Sequence, residues 1–270
     1  MIPFPNVPKV SEKTSTRGVF EVEGLYPGYG ITIGNSMRRV LLSSLQGAAV
    51  TQVRVGQGTH EFTTIPGVYE DVVSILLNIK QLRFRLHGDE PQHATLHVKG
   101  EKEVKGSDLK LPSQLELANP DQHIATLTDK QAEFSMELQI ERGVGYILAE
   151  HRRKGKEEIG TILLDAAYSP VRRVSQKVEN MRVGERTDFD RLILEIETDG
   201  TLDPEVAFYQ AAKILTDHFS LIAGPEKQEK QVPLAEQKKS VEKKREKQPS
   251  LVKRASPVTK KSKIAKAKKK

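Results

Sequence analysis

The chain has 270 residues, 29% of them charged and 37% hydrophobic, which is enough length for a core but a low apolar share for a fully packed protein. It contains no cysteine, which excludes disulfides and thiolate metal sites, and no apolar run approaches the ~20 residues of a membrane helix. The net charge of +7 is unevenly placed: residues 226–270 hold 17 Lys/Arg against 5 Asp/Glu, so the remainder is mildly acidic at −5. MIPFPNVPKVSEK at the start lacks a signal peptide's hydrophobic stretch, and a soluble cytoplasmic chain is expected.

Residues 16–26, TRGVFEVEGLY, alternate apolar and polar as a half-buried strand does. YGITIGNSMRRVLLSSL follows, with a helix expected over 35–46 and Gly47 as its stop. Residues 48–56 and 59–64 read as strands, and residues 68–82 as a helix with Val72, Ile75, Leu76 and Ile79 on one face. LRFRLHG, HATLHVKG, HIATLT, AEFSMELQIE and GTILLDAAYS are short alternating stretches between Gly, Pro and Asp turns, so the middle of the chain is expected to be β-rich. SPVRRVSQKVENMRV and DRLILEIETDG read as two more strands. Asp203-Pro204-Glu205 then opens a helix with cap, proline and acid in the expected order, running to about Ile222 before Gly224-Pro225. KKSVEKKREKQPSLVKRASPVTKKSKIAKAKKK has too little apolar surface to offset the entropy of ordering, and a disordered basic tail is expected over 225–270.

Gly28, Gly30 and Gly34 invite a nucleotide reading, which the details oppose. The third glycine of a dinucleotide fingerprint would fall on Ile33, and Gly34-Asn35-Ser36 lacks the lysine of a phosphate loop. A tight entry into the helix explains the glycines better. At 100° per residue Ile33, Met37, Val40, Leu41, Ser44 and Leu45 share one face, while Arg39, Ser43 and Gln46 lie opposite, with Leu42 near the polar side and Arg38 adjacent. Leucine beside arginine suits a protein-contact patch, and equally a solvated face with one stray leucine. In the last helix Phe208, Ala211, Ala212, Leu215, Phe219 and Ile222 form one stripe, and Ala207, Ile214 and Leu221 a second. Together they are wider than one core requires, so association with a second copy is expected, unless the middle of the chain folds back over them.

Read together, GYGITIGNSMRRVLLSSLQGAAV, HEFTTIPGVYEDVVSILLNIK, ERGVGYILAE, DAAYSPVRRVSQKVE and RTDFDRLILEIETDGTLDPEVAFYQAAKILTDHF resemble the α subunit of bacterial-type DNA-directed RNA polymerase, in the family's order over nearly all of residues 16–222. GNSMRRVLLSS with RTDFDRL and TDGTLDP is a highly specific combination. The resemblance implies an α+β fold. Its dimerisation subdomain would be discontinuous, an antiparallel sheet plus two helices from residues 1–46 and 174–224, with a β-rich subdomain inserted at 47–173 and the tail beyond. It further implies a homodimer that nucleates assembly of the β and β′ subunits, with ω and sigma in the larger complex, in the cytoplasm and associated with the nucleoid. Dimer contacts would fall on Met37, Leu41, Leu45, Phe208, Ala212, Leu215, Phe219 and Ile222. Arg38, Arg39, Leu42, Ser43, His60 and Glu61 would face β, the latter two within a second β-facing segment at 60–71. Arg172, Arg173, Arg186 and Asp188, on the strand pair 172–177 and 186–191, would face β′.

The residues after Gly224, a lysine-rich stretch, are not expected to fold as the family's usual compact carboxy-terminal domain. Lys243, Lys244, Arg245, Lys260, Lys261, Lys268 and Lys269 would give salt-sensitive contact with nucleic acid, or merely solubilise the chain. A stand-alone nucleic-acid-binding protein acting through this tail is the rival function, opposed by the acidic body. No catalytic residue, metal or cofactor is expected in this chain, and the polymerase's two-metal chemistry would belong to the large subunits. Asp188 and Asp190 form a D-x-D pair that turn formation and ion pairing explain more simply than magnesium. His93 and His97 are four apart in a strand, where that spacing gives no zinc-helix geometry.

Overall fold

A computed structural model describes residues 2–56, 61–152 and 160–224. The elements in chain order are β1 (Lys9–Lys13), β2 (Arg17–Leu25), α1 (Tyr29–Ser43), β3 (Gln46–Val55), α2 (Val72–Ile79), β4 (Phe84–Leu86), β5 (Gln92–Lys99), β6 (Lys102–Lys105), β7 (Leu115–Leu117), β8 (His123–Leu127), β9 (Glu133–Val144), β10 (Tyr146–Ile147), α3 (Ala149–Arg152), β11 (Thr161–Leu163), β12 (Ala166–Ala167), β13 (Val171–Val183), β14 (Arg186–Thr198) and α4 (Pro204–Ala223). The fold is rich in antiparallel sheet, with few helices.

One sheet runs β1-β2-β14-β13. Alternation in β2 and β14 turns Phe20, Val22, Leu25, Leu192, Leu194 and Ile196 inward, against Met37 and Leu41 of α1 and Ala207, Phe208 and Ala211 of α4. The Phe20 and Phe208 rings stack with centroids 4.6 Å apart. Each such side chain contributes about 1.5–3 kcal/mol when fully buried. The second sheet runs β5-β9-β3-β4-β7, with β11 also on β3. Its core joins Val53, Phe84, Leu96, Phe134, Leu138 and Ile140 to Ile75 and Ile79 of α2. The first core thus draws on residues before 46 and after 170, the second on residues 50–164. A third, small cluster joins Ala49, Ala166 and Tyr168.

Several elements differ from the sequence reading, each for a tertiary reason. Helix α1 begins at Tyr29, six residues early, with Gly28 as its cap at φ 85°. Gly30 and Gly34 are inside the helix, where they let it approach the hairpin of β13 and β14: a Cβ at 30 would meet Val178 and Asp190, and one at 34 would meet Leu192. The helix ends at Ser43, so Gly47 is not its stop but a residue of β3. Helix α2 begins only at Val72, because Asp71 caps it by accepting the Ser74 N–H at 2.9 Å. Residues 61–64 form no strand beyond an isolated bridge from Thr64 to Asp71, and residues 59 and 60 lie outside the described residues. Asp188 and Asp190 sit within β14, not in the turn, which falls near Gly184. The expected disorder of 225–270 also lies outside the described residues. Among the described residues no helix is long and apolar enough to cross a membrane.

Candidate subunit-contact surfaces

The outer face of α1 carries Arg38, Arg39 and Ser43, all exposed, while Leu42 is half-buried at the rim of the first core. The Ser43 hydroxyl donates to the Arg39 carbonyl at 2.7 Å, so it is turned back on its own helix. What presents this face is the opposite side, where Met37 and Leu41 are buried and the two glycines bring the backbone onto β13 and β14.

Asp190, a turn residue on the sequence pattern, fixes the start of α1. Its Oδ2 accepts the N–H of Gly28 at 2.9 Å and of Gly30 at 3.0 Å. Helix α1 has no acid in its own first turn, so this buried carboxylate supplies the negative charge that the positive helix end favours. The available signal was the strand alternation through TDFDRL, which places Asp190 with Leu192 on the inward side. Asp190→Ala is expected to cost about 2 kcal/mol by orphaning two donors, lowering the thermal midpoint by roughly 4–8 °C in a circular-dichroism melt. An unchanged midpoint would mean that water replaces the carboxylate without cost.

The apolar residues assigned to a dimer face separate into two groups. Met37, Leu41, Leu45 and Phe208 are buried within the protomer, where a second copy cannot reach them; their stripe serves the chain's own core. Ala212 and Leu215 are half-buried. Phe219, Leu221 and Ile222 are 60%, 81% and 81% exposed. Apolar burial on α4 therefore changes along the helix as well as around it. Ala211 is its last buried residue, and the twelve residues from there to Ala223 extend about 18 Å further.

Arg172 and Arg173 are exposed at the start of β13, and Arg186 and Asp188 are exposed at the start of β14. The hairpin register pairs Arg173 with Glu197 and Val183 with Arg186. Arg173 and Val183 are ten residues apart, about 33 Å along a strand, so the structure does not bring the two groups together. Nor do the segments 172–177 and 186–191 pair with each other: Lys177 opposes Ile193, and Arg191 opposes Glu179. Arg186 binds Asp188 through two hydrogen bonds of 3.0 and 2.7 Å and lies over the rings of Tyr26 and Phe189. That guanidinium holds the Asp188 carboxyl below the usual carboxylate range.

Glu61 is exposed. His60, Lys243, Lys244, Arg245, Lys260, Lys261, Lys268 and Lys269 lie outside the described residues. His93 and His97 share a face of β5, each beside a glutamate of β9, Glu137 at 3.2 Å and Glu133 at 3.4 Å. Among the described residues no group of three His, Asp or Glu side chains is arranged to hold a metal ion.

A chain whose described charged contact candidates sit on the surface, and whose last helix ends in exposed apolar residues, has the features of an assembly subunit. Residues 53–169 match the family model described as the RNA polymerase Rpb3/RpoA insert domain. The DNA-directed RNA polymerase subunit alpha of Lawsonia intracellularis is 49% identical over 212 residues, covering 78% of this chain and 61% of its own length. That of Oleidesulfovibrio alaskensis is 49% identical over 216 residues, covering 80% and 62%. That of Carboxydothermus hydrogenoformans is 47% identical over 216 residues, covering 79% and 69%. The chain belongs to the family of DNA-directed RNA polymerase α subunits. It spans about three fifths of the length of the first two relatives.

Proposed function

We propose that this chain is a non-catalytic scaffold of RNA polymerase: a homodimer on which the β and β′ subunits assemble for DNA-templated transcription, with ω and sigma joining the larger complex. Residues 1–46 and 174–224 form its dimerisation subdomain and 47–173 its inserted subdomain. The observation that carries the reading is the bare end of α4, where Phe219, Leu221 and Ile222 have no cover among the described residues. A twofold contact between two such helices buries them. Two copies then offer two sets of surface residues to two different partners. The α1 face with Arg38, Arg39, Leu42 and Ser43, together with segment 60–71, takes β. The β13–β14 hairpin takes β′, which must run along the ribbon to meet both Arg172–Arg173 and Arg186–Asp188. In this role the chain works in the cytoplasm, beside the nucleoid DNA being transcribed, and supplies no group to nucleotidyl transfer.

Native mass measurement of the complex purified from its own cells tests the reading, which requires two copies of this chain to one each of β and β′. Arg39→Ala gives a sharper check. Arg39 is exposed, so its loss leaves the fold and dimer intact, while removing an interface arginine costs about 2 kcal/mol, or roughly 30-fold in affinity for β. Undiminished capture of β in a quantitative pull-down would remove α1 from the β contact.

A further inference from the structure

Residues 64–71 form a loop closed by the bridge from Thr64 to Asp71 and by the Val68 N–H on the Ile65 carbonyl at 3.1 Å. Surface loops are usually the variable, mobile parts of a protein. This one is tied to β8 residue by residue. The Gly67 carbonyl accepts the Thr128 N–H at 2.9 Å, Val68 bridges Leu127, and the Tyr69 N–H donates to the Thr126 carbonyl at 2.9 Å. Ile65 is buried beneath, and at Gly67, with φ +77°, an added Cβ would press on Ala132 at 2.7 Å.

Glu70 completes the fastening with its side chain. Oε2 accepts the Thr126 N–H at 2.7 Å, and Oε1 accepts the Thr126 hydroxyl at 3.0 Å and His123 Nε2 at 2.9 Å. The other ring nitrogen of His123 faces Glu103 at 3.3 Å. Burial pushes the Glu70 carboxyl up, but these hydrogen bonds outweigh it and leave it below the usual range. The clamp is therefore in force at neutral pH and is lost as the pH falls through that lowered value.

On this fixed backbone Tyr69 is 81% exposed, and Phe62, just before the bridge, is 77% exposed. A large ring whose backbone is already ordered buries much area at little further entropic cost, which is what an interface anchor requires. The charged side chains within 61–71 are Glu61, Glu70 and Asp71, all acidic. An arginine suits the face of the Tyr69 ring, in a segment whose charged residues are all acidic. We infer that Tyr69, with Phe62, is an anchor that receives an arginine-bearing apolar surface of the β subunit, and that the Glu70–His123 clamp is the device that positions it. This rests on the reading of segment 60–71 as facing β.

The test uses the full chain and purified β. Tyr69→Ala is expected to leave the dimer and its melting curve unchanged and to weaken capture of β about 30-fold. Glu70→Ala is expected to weaken capture about 10-fold with Tyr69 still present, and Glu70→Gln, which keeps an acceptor for the Thr126 N–H, recovers part of that loss. The chain has no tryptophan, so Tyr69→Trp adds a single emitter whose anisotropy reports this loop. Its anisotropy should fall when Glu70→Ala is added, while the far-ultraviolet spectrum stays the same. If the wild-type chain captures no β, the scaffold reading and the anchor fall together. Capture of β by the wild type and equally by Tyr69→Ala overturns the anchor alone. Normal capture by Glu70→Ala, or unchanged tryptophan anisotropy, overturns the positioning role.

Discussion

Gly47→Ala is expected to destabilise the chain by about 3 kcal/mol or more, because the added methyl has nowhere to go. Gly47 of β3 lies opposite Gly143 of β9, and Tyr168 crosses the slot between them. A Cβ at 47 would overlap the Tyr168 carbonyl oxygen, and one at 143 would fall 2.6 Å from its ring. Tyr168 cannot easily retreat, since it is buried and its N–H donates to the Gly145 carbonyl at 2.8 Å. Backbone must therefore move in β3 or at Tyr168, the two places where the chain passes between its cores. The measurement is a thermal melt with urea unfolding, where the midpoint should fall by roughly 6–12 °C. A curve superimposable on wild type would mean that the two strands part there at no cost.

Phe219→Asp is expected to convert the dimer to a monomer while leaving the protomer folded. Phe219 is largely exposed and lies beyond the last buried residue of α4, so the substitution removes little from the chain's own core. In a twofold contact the same change places two like charges in an apolar seam. Burying a charge without a partner costs several kcal/mol, so association should weaken by at least about 100-fold. Light scattering on the eluting protein at micromolar concentration reads this directly, and the melt of the monomer checks the fold. Met37→Asp provides the contrast, because Met37 is inside the protomer and its replacement should unfold it. A Phe219→Asp chain that stays dimeric would move the interface away from α4.

Much of this architecture is legible in the sequence where a local rule and the tertiary structure agree. The alternation of Phe20 and Val22, and of Leu192, Leu194 and Ile196, marks β2 and β14 because one face of that sheet is buried. Asp203-Pro204-Glu205 marks the start of α4 because capping is local, and Asp203 does accept the Glu205 N–H at 2.8 Å. The failures occur where a residue answers to something distant in sequence. Gly30 and Gly34 argue against helix by propensity, yet they lie in one, as glycines because β13 and β14 leave no room for a Cβ. Gly47 reads as a stop, yet it serves Tyr168, more than a hundred residues away. Helical periodicity places Phe208 and Phe219 on one stripe but carries no information about where along the axis the core ends. The proposed contact residues on α1 are legible as a polar face with arginine, whereas Tyr69 is an isolated aromatic until its loop is seen fastened to β8.

The long ribbon of β13 and β14 acts as a ruler. Arg172 and Arg173 mark one end and Arg186 and Asp188 the other, so any neighbour that grips both must match its span. A single residue lost from one strand would rotate every following side chain to the reverse side. Where the ladder is regular, evolution can therefore lengthen or trim this spacing only in matched pairs, one step of about 7 Å at a time.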